Sequence, residues 1–141
     1  MTTDAEASQT LVIDASVLVA LVSSASAATR EIATRMGDAA LHAPSILPIE
    51  VDSALRRLEH GGRLSGIQAV AARLHARLMP VDLWPWHLLG DRAWELRDNL
   101  STYDAGYVAL AELLGVPLLT GDARIARAPG IRCAVEVVKL G

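Results

Sequence analysis

Apolar residues arrive along this chain in two rhythms. Short runs at 10–14 ("TLVID"), 39–43 ("AALHA"), 79–84 ("MPVDLW"), 117–120 ("PLLT") and 134–138 ("AVEVV") lack the period-two alternation of half-exposed strands and predict buried ones. Between them, apolar positions recur every three or four residues, which predicts helices over 15–24, 26–36, 44–60, 64–78, 85–99 and 102–114. The punctuation agrees: Asp14 stands where a helix cap is needed, and Gly37, Gly61-Gly62 and Gly115 stand where helices should close, with Pro117 beyond the last. On the third helix Ile49, Ser53 and Arg57 fall on one side and Val51, Leu55 and Leu58 on the other. On the fourth, Ile67, Val70, Ala71, Leu74 and Leu78 form a stripe that leaves Arg73 and Arg77 on another face, and core packing is the expected fate of that stripe.

Strands alternating with helices predict a single-domain α/β/α sandwich around a central, mostly parallel sheet. The domain is expected over residues 10–141, behind a flexible tail at 1–9. In such sheets sites form beyond the carboxyl ends of the strands, often where strand order reverses. Asp14 ends the first strand and Asp122 follows the fourth, so both belong to that edge.

Composition changes this picture little. The 141 residues are 52% hydrophobic, ample for one core. Cys133 is the single cysteine and the four histidines are scattered, so neither a disulfide framework nor a Cys/His zinc site can be assembled, and a cytoplasmic, reducing setting is expected. The opening "MTTDAEASQ" is polar and acidic, and the apolar run after it holds Asp14, which predicts neither a signal peptide nor a membrane span. A formal net charge of −3 argues against nucleic-acid binding by bulk positive charge, although it leaves a nucleic-acid enzyme open. All but one of the thirteen basic residues are Arg, the exception being Lys139.

Two more acids stand near helix starts: Glu50 in "LPIEVDSAL" and Asp104 in "STYDAGYVAL". Each of the four acids has an ordinary explanation as a cap or as a complement to the helix dipole, and Ser101-x-x-Asp104 resembles a capping box. Together they point elsewhere. Four carboxylates at strand ends and helix starts can face one crevice, where they repel unless a cation binds among them, and an all-oxygen set suits Mg²⁺ with Mn²⁺ as a substitute. Without a nucleophile triad or a phosphate loop, such a site suits metal-assisted attack of water on a phosphodiester.

The ordered blocks "LVIDASVLVAL", "APSILPIEVDSAL" and "LSTYDAGYVALAELLGVPLLTGDARIARA" resemble the PIN-domain ribonucleases, in particular the VapC-type toxins of bacterial toxin–antitoxin pairs, over roughly residues 10–138. The resemblance implies a Mg²⁺-dependent endoribonuclease with Asp14, Glu50, Asp104 and Asp122 as catalytic and metal-ligating acids, and with Ser16 and Thr120 as supporting hydroxyls. It also implies RNA as substrate, a cognate VapB-like antitoxin, whose peptide would lie near Ile46, Leu47, Val51, Leu55, Leu58 and Leu64, and a homodimer. A Gly at position 121, where bulkier residues are also common, puts nothing catalytic in doubt.

Some readings stay open at this stage. Arg124 is a candidate RNA contact or a solvated helix charge. Trp84, Trp86 and Trp94 are read as core aromatics ahead of base-stacking platforms. Asp52, about 200° around the helix from Glu50, is left out of the site. A PIN-like fold kept as a non-catalytic RNA-binding or protein-interaction module is the alternative function. An aspartyl phosphoryl-transfer domain fits less well, since Ser16 occupies the position where its second acid would stand.

Overall fold

The computed structural model describes residues 9–141. Its strands β1 (Thr10–Ile13), β2 (Ala40–Pro44), β3 (Val81–Trp84), β4 (Leu118–Thr120) and β5 (Val135–Val137) form one sheet in the order β3-β2-β1-β4-β5. Every pairing is parallel. The helices are α1 (Ala15–Ser23), α2 (Ala27–Met36), α3 (Leu47–His60), α4 (Gly66–Leu78), α5 (Gly90–Glu95), α6 (Thr102–Leu114) and α7 (Ala123–Ala126), with one 3₁₀ turn at Trp86–Leu88.

This is the expected α/β/α sandwich. Parallel strands need crossover helices, and these cover the sheet: α1 packs with α2, α3 and α4, while α5 packs with α6, which lies on β1, β2 and β4. The unbroken apolar runs follow from that arrangement, because Leu11, Val12, Ile13, Leu118 and Leu119 are all fully buried. The chain builds β1, β2 and β3 toward one edge and then returns to lay β4 and β5 on the other side of β1. Strand order therefore reverses between β1 and β4, whose register pairs Val12 with Leu118 and Ile13 with Leu119. Asp14 and the segment from Thr120 to Asp122 leave the sheet side by side at this point.

Most of the expected tail lies outside the described residues. Gln9 does not behave as tail, since its carbonyl accepts from the Ala40 N–H at 2.8 Å and its side chain accepts from Arg35 Nη1 at 2.8 Å. Among the described residues no helix is long and apolar enough to cross a membrane.

Three expectations are corrected. Helix α4 does not bury the stripe read from its periodicity: Ile67 is 85% exposed, Val70 69% and Leu78 73%, and Leu74 is exposed as well. The side that packs against α1 and α3 is made of Ala69 and Ala72 with half-buried Ala76, small residues that repeat with the same helical period and let the helices approach closely. The helix expected over 85–99 is broken into the 3₁₀ turn, α5 and a run of turns. Nor do the tryptophans supply the core's large aromatics. Trp94 is 67% exposed with Arg97 stacked on its ring at 4.6 Å, Trp86 is exposed, and Trp84 is half-buried with its Nε1 donating to His42 Nδ1 at 2.9 Å. The buried aromatic is Tyr107. Of the six apolar residues near Glu50, Leu47, Val51 and Leu55 are core, and Ile46, Leu58 and Leu64 remain partly open.

Two substitutions test the correction to α4. Ala72→Leu should overpack the seam with α1 and α3 and lower stability by about 1–3 kcal/mol. Ile67→Ala should change it by no more than about 0.5 kcal/mol, as for other exposed sites. Urea midpoints measure both, and a cost for Ile67→Ala larger than that for Ala72→Leu would return the stripe to the core.

Candidate active site

Asp14 follows β1 directly and caps α1, its Oδ1 accepting from the Val17 N–H at 3.2 Å. The same oxygen accepts from Ser16 Oγ at 2.6 Å, and Oδ2 accepts from Thr120 Oγ1 at 2.5 Å. Both hydroxyls are themselves fixed by backbone donors after β4: Ser16 Oγ accepts across from the Gly121 N–H, and Thr120 Oγ1 accepts from the Asp122 N–H of its own turn, each at 3.0 Å. Ser16 and Thr120 thus both donate to Asp14, and they bind the end of β1 to the end of β4.

The other acids come from helix starts. Glu50 lies in the first turn of α3 and its Oε1 accepts from the Tyr107 hydroxyl at 2.7 Å. Asp104 lies in the first turn of α6, where Ser101 is the cap and accepts from the Asp104 N–H at 3.1 Å. The capping-box reading is therefore half right. Ser101 caps the helix, but among the described residues no group hydrogen-bonds the Asp104 carboxylate. Asp122 caps the four-residue α7, accepting from the Arg124 N–H at 2.9 Å, and the Arg124 guanidinium grips both of its oxygens, at 3.0 Å through Nε and 2.8 Å through Nη2. Arg124 is thus a solvated charge, 83% exposed, that pairs with Asp122 in this arrangement. Asp52 stands apart, paired with Arg73 at 2.9 Å.

All four acids line one open cavity of about 700 Å³. Their electrostatics differ according to what surrounds them. Burial raises the Asp14 carboxyl above its ordinary value, outweighing the hydrogen bonds from Ser16, Thr120 and Val17, and the charge of Asp104 adds to the rise. Glu50 is raised by burial against the opposing bond from Tyr107, with Asp104 and Asp14 adding repulsion. Asp104 is raised by burial and by Asp122. Ser101 and Arg124 oppose that shift, although the hydrogen bond of Ser101 goes to the Asp104 backbone. Asp122 moves the other way, held below its ordinary value by the Arg124 side chain. Three acids are thus strained toward protonation, and the fourth is relieved by the one cation, among the described residues, that pairs with any of them.

The donor set suits a hard divalent cation, since it is all oxygen and its members repel one another. Among the described residues no three His, Cys, Asp or Glu side chains are drawn together as a finished cage. An ion here would need waters to complete its shell, which fits Mg²⁺, an ion that keeps several of its waters.

Tyr107 is the residue that sequence reasoning missed. Burial raises its phenol well above the ordinary range, the bond to Glu50 adds to this, and the hydroxyl stays a donor. A signal existed: Tyr107 is three residues after Asp104 on one helix, and a buried tyrosine hydroxyl needs a partner.

Comparison with known proteins gives a consistent result. A family model described as PIN domain matches residues 11–131. Ribonuclease VapC1 of Mycobacterium tuberculosis is 39% identical over 130 residues, covering 91% of this chain and 97% of the relative. Ribonuclease VapC9 of the same organism is 38% identical over 128 residues, covering 91% and 98%. Among solved structures, Mycobacterium tuberculosis VapC20, described as a Sarcin-Ricin loop cleaving toxin, superposes with a TM-score of 0.63 at 19% identity, over 87% of this chain and 97% of that one. VapBC2 from Rickettsia felis, bound to a DNA fragment from its promoter, gives 0.65 at 11% identity, over 93% and 100%. At these identities the two structures speak to the fold alone.

The unpartnered carboxylate of Asp104 makes a stability test possible. Its folded-state pKa lies above the ordinary value of 3.8, so the folded state binds more protons and stability falls as pH rises through and beyond that value. Asp104→Asn removes the penalty. In metal-free buffer at pH 7 the urea midpoint should rise, and the gain should vanish as pH falls below the ordinary aspartate value. A variant destabilised equally at both pH values would make Asp104 a helix-start residue and nothing more.

Proposed function

From the chain's membership of the PIN-domain family, to which it belongs within the VapC branch, we propose that it is a Mg²⁺-dependent endoribonuclease acting as the toxin of a type II toxin–antitoxin pair. The observation that carries this reading is the convergence of Asp14, Glu50, Asp104 and Asp122 on one cavity at the strand-order reversal. A binding module has no use for four mutually repelling carboxylates.

Asp14, Glu50, Asp104 and Asp122 would hold the ion, directly or through waters, with Mn²⁺ as a substitute. When bound, the ion supplies an oriented, more acidic water for in-line attack and neutralises charge on the phosphate. The chain's own groups divide the remaining work. Ser16 and Thr120 fix both oxygens of Asp14, so this ligand needs no reorganisation. Tyr107 fixes one oxygen of Glu50 and leaves the other to the crevice. Asp104, raised and unpartnered, is a better acceptor for a proton from water than Asp122, which Arg124 holds low. Arg124 is the local counter-charge of the metal-free site. If an ion took its place on Asp122, its exposed guanidinium would be free to meet a substrate phosphate.

Protein partners belong to other surfaces. In this reading the exposed stripe of α4 seats a VapB-like antitoxin, and the apolar dent formed by Ile46, Ile49, Trp86 and Tyr103 serves a homodimer.

The test incubates purified, antitoxin-free protein with total RNA, with Mg²⁺ or with EDTA, and maps the cut ends. Cleavage should require the metal and fall about a hundredfold or more in Asp14→Ala, Asp104→Ala and Asp122→Ala, with Glu50→Ala leaving a trace if its contact is through water. Full activity in EDTA would defeat the mechanism. A separate measurement needs no RNA. Arg124→Gln should bind Mn²⁺ several-fold more tightly than wild type in an EPR titration, because the cation competing for Asp122 is gone; unchanged affinity would remove the counter-charge role.

A further inference from the structure

The cavity that holds the acids does not end at them. Helices α1 and α3 follow β1 and β2 and so both start at the carboxyl edge of the sheet, and the cavity continues between them. On α3 and its closing residue, the lining residues Glu50, Ala54, Arg57 and Gly61 are spaced four, three and four apart, which keeps them within about 60° of one another around the helix. On α1, Ser16, Ala20 and Ser23 do the same. The groove therefore runs along both helices. Arg57 stands seven residues beyond Glu50, about 10 Å at 1.5 Å per residue, and Gly61 about 16 Å. Arg63 lines the far end.

Charge is separated along this track. Every acidic residue lining it belongs to the site at one end, and its cations, Arg57 and Arg63, lie toward the other. Both arginines are exposed. Arg57 spends Nη1 on Ser53 Oγ at 2.9 Å, and of the five donors of a guanidinium the rest remain for a ligand. Between them the groove is lined by Ala20, Ala54 and Gly61 with the aliphatic Val19 and Leu58, and beyond Tyr107 no aromatic side chain lines it.

We propose that this groove is the track for a single RNA strand on one side of the cut, with Arg57 and Arg63 as positioning residues that hold backbone phosphates. This rests on the ribonuclease reading above. At about 3.4 Å per stacked nucleotide, Arg57 meets the phosphate roughly three nucleotides from the scissile one and Arg63 one at least two further on. A floor without aromatic platforms reads no bases by stacking, so the track sets register and leaves sequence choice to other contacts. A polyanion suits the cationic end, and an ion among the acids completes its neutralisation at the other.

The test uses an RNA oligonucleotide containing a cut site mapped with the wild type. Arg57→Ala and Arg63→Ala should each raise KM about fivefold with kcat unchanged, and each should reduce the salt dependence of log kcat/KM by about 0.7, the value of one single-strand phosphate contact. Arg57→Lys should recover part of the loss. Arg97→Ala, which removes the same charge from the Trp94 stack outside the groove, should leave KM unchanged. Replacing the third phosphate from the cut with a neutral methylphosphonate, on whichever side is sensitive, should raise KM for wild type and not for Arg57→Ala. A wild type that cleaves RNA while the Arg57 and Arg63 variants match it overturns the track and leaves the ribonuclease reading standing. Unchanged KM with lost binding of an antitoxin peptide gives the groove to the protein partner and equally overturns it. A wild type without metal-dependent cleavage defeats the ribonuclease reading itself and removes the ground for the track.

Discussion

The hydrogen bond from Thr120 to Asp14 joins the ends of two parallel strands that are 106 residues apart in sequence, and the site depends on it. Strand order reverses between β1 and β4, which pair directly, the Asp14 N–H donating to the Leu119 carbonyl at 3.2 Å. Side chains add to that pairing. Asp14 accepts from Thr120 and Ser16 accepts from Gly121, so each strand end is held by the other, while Thr120 accepts from Asp122 within its own turn. The same bonds orient the first carboxylate and aim the fourth. Thr120 is wholly buried and can donate and accept at once, which is why a hydroxyl of that size serves here.

This arrangement places charge where burial disfavours it. Asp14 keeps its partners and is still raised, because desolvation outweighs three hydrogen bonds. Glu50 and Asp104 are raised for the same leading reason, and each feels at least one other acid. The fold does not relieve this with an internal cation network. It supplies Arg124 to Asp122 and leaves Asp104 bare, while elsewhere Arg92 and Arg35 hold Glu112 and Glu136 below their ordinary values. Of the four acids of the site only Asp122 has such a partner among the described residues, and the other three are raised. That contrast marks the site.

The same contrast explains what could be read from the residues beforehand. Unbroken apolar runs disclosed the buried parallel strands, since no polar residue can alternate where both faces are covered. The acids were legible because a strand end or helix start is recognisable locally, and β1 and β4 carry their acids on such ends. The fate of α4 was not legible: Ile67, Val70, Leu74 and Leu78 and the small-residue line Ala69, Ala72, Ala76 repeat with one period, and periodicity does not say which line faces a neighbour. Nor was Tyr107 tied to Glu50, since 57 residues and a crossover separate them. The grip of Arg124 on Asp122 spans only two residues, but it depends on the geometry of a four-residue helix that sequence spacing does not define.

The two halves of the site are consequently held by different means. Asp14 and Asp122 are fixed by the sheet edge, through backbone register and a closed set of short hydrogen bonds. Glu50 and Asp104 ride on helices α3 and α6. The Tyr107 hydroxyl reaches from α6 to Glu50 on α3, and Gly106 leaves room for the ring of Trp86 in the 3₁₀ turn, which a Cβ at that position would meet at 2.7 Å. Any side chain at 106 would push Trp86 or tilt the first turn of α6, and Asp104 lies in that turn. Glycine at 106 therefore keeps the first turn of α6, and Asp104 with it, in place, although its backbone does not occupy the left-handed region. The sheet edge thus holds Asp14 and Asp122 through bonds made at the ends of two paired strands, whereas the places of Glu50 and Asp104 follow from helix packing, with Tyr107 hydrogen-bonding across to Glu50.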